Sequence, residues 1–317
     1  MRRTSGLELL LRQKQSATLI STGDAALDAA LKGGFLCGEV TELVGESSTG
    51  KTQLCHAAAA SAAMVGARVV WIDATNGFSA KRLRQLVDAR LARVAGGSSA
   101  GSGDASAAAA PTAASPRRDA ALRRVSRCGA FTYASAMQAL SGVWREQAAA
   151  QAVVHAAAKR RKRGDGDVAA EPPVADEPPV RLIVVDSITA LLAPILGGDR
   201  YAQGHAAMME LGLLLVRLAE ALQCAVIVTN GTVNDRAAKD AAERSVGGGS
   251  GGSSGVTTKP ALGPSWASVP HARLHLALAG GARRSLVRPA ARSEATLRKC
   301  SRARKRDPLL LAPALRK

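Results

Sequence analysis

Eight consecutive residues, Gly45-Glu46-Ser47-Ser48-Thr49-Gly50-Lys51-Thr52, carry the spacing G-x-x-x-x-G-K-[ST] of a phosphate cradle. Gly45 and Gly50 permit backbone angles and a close approach that a side chain would block, so successive N–H groups face an anion. Lys51 supplies a cation for the β- and γ-phosphates, and Thr52 a hydroxyl for Mg²⁺, a hard ion that takes oxygen ligands. A bound triphosphate also needs an acid from a neighbouring strand. Leu182-Ile183-Val184-Val185-Asp186 ends on one, and Asp186 is expected to hold Mg²⁺ through water and, with Lys51, to carry the catalytic role. Asn230 closes a further apolar run, Val226-Ile227-Val228-Thr229, where a γ-phosphate contact and a plain turn residue are equally consistent with its type.

Such a site requires strands whose ends meet. Runs of β type at 39–44, 68–72, 125–133, 181–185 and 225–229 alternate with helical patterns from Lys51 onward, over 79–93, over 135–149 and over 201–222. Strand and helix in alternation predict an α/β fold, a mostly parallel sheet covered by helices on both faces. Three stretches break the pattern with small, polar or charged residues, 95–120, 158–179 and 245–258, and are expected to be flexible insertions.

The 317 residues hold 43 Lys plus Arg against 25 Asp plus Glu, a net charge of +18 that makes nucleic acid the first partner to consider. Much of that excess is local. The stretch from Gly281 to Lys317 has 12 basic residues against Glu294 and Asp307, so bulk charge says little about the core. With 47% apolar residues the chain has material for a core, which excludes wholesale disorder, although alanine adds little area per residue. Five scattered cysteines, none in a C-x-x-C pair, argue against a disulfide framework and a zinc site and fit a reducing compartment. No apolar run reaches the roughly 18–20 residues of a membrane span, and a soluble, unsecreted protein is expected.

Beyond the cradle, Ser21-Thr22-Gly23-Asp24, Gly33-Gly34-Phe35 and Gly38-Glu39-Val40-Thr41-Glu42-Leu43-Val44-Gly45 resemble the entry into the ATPase core of RecA-like eukaryotic recombinases and their paralogues. Val185-Asp186-Ser187-Ile188-Thr189-Ala190, Val228-Thr229-Asn230 and Lys259-Pro260-Ala261-Leu262-Gly263-Pro264-Ser265-Trp266 look most like the D branch of those paralogues. The resemblance implies a RecA-like P-loop core at 21–284, a residual N-terminal linker at 1–20 and a basic, disordered tail at 285–317. It also implies ATP and Mg²⁺ as cofactors, and single-stranded or branched DNA and sister paralogues as partners. In that family two loops meet DNA; here they correspond to 196–205 and 231–265, with Arg200, Arg236, Lys239, Arg244 and Lys259 as the candidate contacts.

Departures from the family pattern are equally specific. Thr75 stands where active members carry the glutamate that activates water, and Gly231 where they carry a glutamine between γ-phosphate and DNA loop. A hydroxyl does not accept a proton at neutral pH as a carboxylate does. ATP binding is therefore expected with weak or no hydrolysis, in homologous-recombination repair of double-strand breaks. The alternatives are a DNA-stimulated ATPase active in strand exchange, using Asp73 or a neighbouring subunit's carboxylate, and a P-loop kinase or switch unrelated to DNA. The linker remnant Leu7 to Gln15 lacks the family's Phe-x-x-Ala hook; Phe131-Thr132-Tyr133-Ala134 matches that string but is expected to pack inside a core strand. Lys159-Arg160-Arg161-Lys162-Arg163 suggests import into the nucleus.

Overall fold

The computed structural model describes residues 18–96, 115–163, 178–197, 201–234, 258–279, 284–289 and 309–310. A small antiparallel pair, β1 (Leu19–Ile20) and β2 (Phe35–Leu36), brackets α1 (Ala25–Ala30) and leads into β3 (Val40–Gly45) and α2 (Lys51–Met64). After these come β4 (Arg68–Asp73), α3 (Ala80–Gly96), α4 (Pro116–Arg123), β5 (Val125–Gly129) and α5 (Tyr133–Arg163). The chain continues through β6 (Val180–Asp186), α6 (Ile188–Leu192), α7 (Tyr201–Leu222) and β7 (Ala225–Asn230) to the antiparallel hairpin of β8 (Thr232–Asn234) and β9 (Thr258–Pro260). Last are α8 (Gly263–Trp266), β10 (Ala272–Ala279), β11 (Arg284–Pro289) and β12 (Leu309–Leu310).

Eight strands form one sheet in the order β12-β11-β10-β3-β7-β6-β4-β5, parallel from β10 to β5 and antiparallel at the β11 and β12 edge. Each central strand has two apolar faces, because successive side chains point to opposite sides. On β4, Val69 and Trp71 join one core cluster with Leu182, Val184 and Ile227, while Val70 and Ile72 join the other with Ile183, Val185 and Val226. Alanine-rich α2 covers the first face, and α5 and α7 the second. Ala58, Ala59, Ala60, Ala62 and Ala63 of α2 are wholly buried. Small side chains let this helix lie close to the sheet, so the alanines build core by proximity rather than by area.

The structure moves several expected boundaries. The run predicted as strand over 125–133 stops at Gly129, and Phe131, expected inside the core, is 61% exposed. Thr132 and Ser135 explain the break: each side-chain oxygen accepts from the other's backbone N–H, at 3.2 and 3.1 Å, which starts α5 at Tyr133. That helix continues past 149 to Arg163, so Lys159 to Arg163 end a helix instead of lying in a loop. Residues 116–120, expected within a flexible insertion, belong to α4, which has a proline in its first turn and holds Arg118 against Asp88 and Asp119. The remainder of the three insertions, apart from residues 95–96, 115, 178–179 and Thr258, lies outside the described residues. In the expected tail, β11 extends order to Pro289.

Candidate functional site

Parallel strands deliver their carboxyl ends to one side of the sheet, where ligands of open α/β folds bind. Gly45 ends β3, Asp73 ends β4, Asp186 ends β6 and Asn230 ends β7. Asp73 is level with Asp186, and Val44 with Asn230. The turn from Gly45 to Gly50 then enters α2, whose N-cap, Gly50, has φ of 96° and offers no side-chain cap. The first-turn N–H groups of α2 are thus left for an anion at the positive end of the helix. A Cβ at Gly45 would come within 2.4 Å of the Leu276 carbonyl oxygen and 2.6 Å of Thr49 Oγ1, so only glycine fits.

Lys51 Nζ donates to the carbonyls of Gly45 and Glu46, at 2.7 Å each, and lies along the lip of the turn. Burial lowers its pKa while Asp186, Cys55 and Glu46 oppose that shift. Glu46, Ser47 and Ser48 are exposed along the turn, whereas Thr49 is buried and donates to the Glu46 carbonyl at 2.8 Å. Thr52 Oγ1 donates to Asp186 Oδ2 at 2.8 Å, and Thr229 Oγ1 donates to Asp186 Oδ1 at 2.6 Å. The peptide between Asp186 and Ser187 is cis. Thr52 and Asp186, brought from 134 residues apart, are a hard-oxygen pair beside a lysine and an anion cradle, a donor set that fits Mg²⁺ on a nucleotide.

The position at which a water-activating carboxylate is expected from the resemblance lies on the turn after β4. Thr75 is exposed beside Gly77, on the turn after β4. Asp73, the acid nearest in sequence, is fully committed: Oδ1 accepts from Gly77 N at 2.9 Å, and Oδ2 from Arg127 Nε at 2.8 Å and Phe78 N at 3.3 Å. Burial alone would raise this carboxyl, but Arg127 and those amides outweigh it and hold the group below its ordinary value. Asp73 organises the turn, which disfavours it as a replacement base.

Three residues not singled out from sequence complete the site. His56, one turn after Thr52 on α2, receives the Ser79 amide proton at Nε2 (2.9 Å) and lies 2.8 Å from the Thr52 carbonyl at Nδ1. That pair of contacts requires the neutral Nδ1–H tautomer. Trp71 and Phe78 pack against the ring at 4.5 and 5.5 Å, which ties the P-loop helix to the turn that carries Thr75. Glu42, buried mid-strand in β3, accepts from Asn230 Nδ2 at 2.6 Å and Trp266 Nε1 at 2.9 Å, and pairs with Arg273. Thr189 donates to Asn230 Oδ1 at 2.6 Å and accepts from the Gly231 amide at 2.9 Å. Asn230 thus ties Thr189 to Glu42 at the carboxyl end of β7, through its amide oxygen and one of its two amide hydrogens. The sequence did hold one signal, since a glutamate inside Val-Thr-Glu-Leu-Val must find buried partners.

Of the candidate DNA contacts, Arg200, Arg236, Lys239 and Arg244 lie outside the described residues. Lys259 is exposed on β9, level with Val233 of β8, so the second expected loop has ordered stems, closed by buried Trp266.

A parallel sheet with a phosphate turn on one strand, an acid on another and helices on both faces defines a P-loop α/β fold, here consistent with the RecA-like class. Residues 13–92 match the family model described as Rad51. It is 31% identical to mouse "DNA repair protein RAD51 homolog 4" over 279 residues, covering 88% of this chain and 66% of that protein. The bovine protein of the same name is 31% identical over 273 residues, covering 86% and 65%. Human "DNA repair protein RAD51 homolog 2" is 38% identical over 84 residues, 25% of this chain and 22% of that one. The chain thus spans slightly under two thirds of the two homolog 4 proteins.

Proposed function

We propose that the chain is an ATP-binding Rad51-family paralogue that acts in homologous-recombination repair of DNA double-strand breaks. In this reading it binds single-stranded or branched DNA and sister paralogues in a hetero-oligomeric complex, with ATP hydrolysis weak or absent. The observation that carries the nucleotide part is the Thr52–Asp186–Thr229 cluster beneath the Gly45 cradle, with Thr75 where a carboxylate base would stand. The names of the relatives carry the repair part.

The turn amides and Lys51 would hold the phosphates, and Thr52 would hold Mg²⁺ directly with Asp186 through water. Bound Mg²⁺ supplies charge compensation for the β- and γ-phosphates. With Thr75 at the expected base position and no replacement base identified among the described residues, the nucleotide serves as a structural ligand that holds the turns after β3 and β4 in register. Lys159 to Arg163 would direct the protein to the nucleus. Residues 21–284 would form the nucleotide-binding core.

Titration with labelled ATP and Mg²⁺ should give saturable uptake that Lys51→Ala abolishes, together with slow phosphate release, little changed by single-stranded DNA. Rapid DNA-dependent release would favour the DNA-stimulated ATPase instead. Undetectable or salt-insensitive DNA binding would remove the recombination role.

A further inference from the structure

At the far end of α2 from the phosphate cradle lies a hollow of about 850 Å³, walled by α2, α3 and α4 and by β1. Leu19, Ala62, Met64 and Leu91 supply apolar walls, while Val65 and Val94 are 79% and 61% exposed at the rim. The charged lining residues are Arg90, Arg93, Arg117 and Arg124, with no acid among them. Arg90 Nη1 donates to the Ala57 carbonyl at 2.8 Å and Arg124 Nη1 to the Ala63 carbonyl at 3.4 Å, so both guanidiniums are fixed against the last turns of α2. Arg93 and Arg117 are exposed and make no hydrogen bond or ion pair among the described residues. Burial and the like charge of Arg93 both lower the Arg90 pKa, with Asp28 opposing. A concentration of positive charge beside an apolar hollow is costly until an anion joins it.

We propose that this hollow docks a peptide segment of a partner protein that presents an apolar side chain flanked by aspartate or glutamate. Charge complementarity selects the flanks, and the apolar walls select the anchor. A nucleic-acid backbone would satisfy the arginines but leave the walls wet, which favours a peptide. The chain's own residues 1–17 carry Arg2, Arg3, Arg12 and Lys14 against Glu8, the wrong sign for this surface. The stretch of α2 from Lys51 to Ser61, about 15 Å of helix, separates the hollow from the cradle, so docking leaves the nucleotide site open. The proposal does not depend on the nucleotide reading.

The test uses the full chain and an array of short synthetic peptides in which a central leucine or phenylalanine is flanked by acids, by amides or by lysines. Acid-flanked peptides should be captured selectively, with affinities then measured by fluorescence anisotropy. Arg93→Glu combined with Arg117→Glu should weaken them about tenfold or more and transfer preference to the lysine-flanked set. Unchanged thermal unfolding and far-ultraviolet circular dichroism would show that the variant is folded; if it is not, Arg93→Gln alone should still weaken the acid-flanked peptides. Equal capture of all three sets, or none, overturns the proposal. So does displacement of the acidic peptide by a single-stranded oligonucleotide whose own binding the double variant weakens, which makes the surface a nucleic-acid site. Displacement by a synthetic copy of residues 1–17 also overturns it, by assigning the hollow to the chain's own N-terminal stretch.

Discussion

Thr75 and His56 test the site at the scale of single residues, because one stands where the proposed function expects no base and the other has contacts the sequence did not advertise. Thr75 is exposed beside the Thr52–Asp186 pair, so a longer carboxylate is accommodated there at little structural cost. General-base catalysis contributes about 10²–10⁴ in rate, and Thr75→Glu is expected to raise ATP turnover by at least about tenfold. Single-turnover phosphate release measures this; an unchanged rate would mean that more than the base is missing. His56 is held neutral between Thr52 and Ser79 with Trp71 and Phe78 on its ring, and burial lowers its pKa. Asp186 and Asp73 act to raise that pKa and Arg82 to lower it, and desolvation dominates. The unfolded chain, with the ordinary value of 6.5, therefore binds protons first as pH falls. The contribution is complete above that value and is lost as pH drops through it toward the folded-state value. Melting temperature should fall between about pH 7 and pH 5 by more in the wild type than in His56→Gln.

Between elements, the buried Glu42 cluster is the main polar joint, linking β3, β7, α8 and β10 through one carboxylate. Removing one partner of a buried pair costs more than the pair contributes, because the groups left behind stay desolvated. Glu42→Ala strands Arg273 and the donors on Asn230 and Trp266 and should lower unfolding free energy by about 3–5 kcal/mol, read from urea melts. Phe131 makes the opposite case. A core strand position would lose about 3–5 kcal/mol on truncation to alanine, whereas an exposed residue past a strand end should change stability by less than about 0.5 kcal/mol. Urea denaturation of Phe131→Ala thus decides between the strand predicted from sequence and the turn that the Thr132 and Ser135 caps create.

For the molecule as a whole, a ligand that binds only the folded state stabilises by RT ln(1 + [L]/Kd), about 2.7 kcal/mol at one hundred times Kd. Thermal unfolding should rise accordingly with ATP and Mg²⁺, and Lys51→Ala should remove the increase while leaving the melting temperature of the free protein nearly unchanged. Among the described residues no helix is long and apolar enough to cross a membrane. The positive charge at the hollow beside α4 and the phosphate cradle before α2 lie at opposite ends of one helix, so a partner and a nucleotide can be engaged together.

The amino-acid order alone determined the phosphate turn, the acid on β6 and the parallel sheet, because each is written in local spacing: glycines where backbone must approach, consecutive apolar residues where a strand is buried on both faces. Only the tertiary structure decided what the polar residues touch. Asn230, which sequence leaves open between a phosphate contact and a turn residue, bonds Glu42, 188 residues away, and Asp73, offered from sequence as an alternative base, has Arg127 and the Gly77 amide on its oxygens. Whether a side chain can meet a ligand depends on which partners the fold brings within about 3 Å, and that distance is set by packing between elements that sequence spacing does not encode.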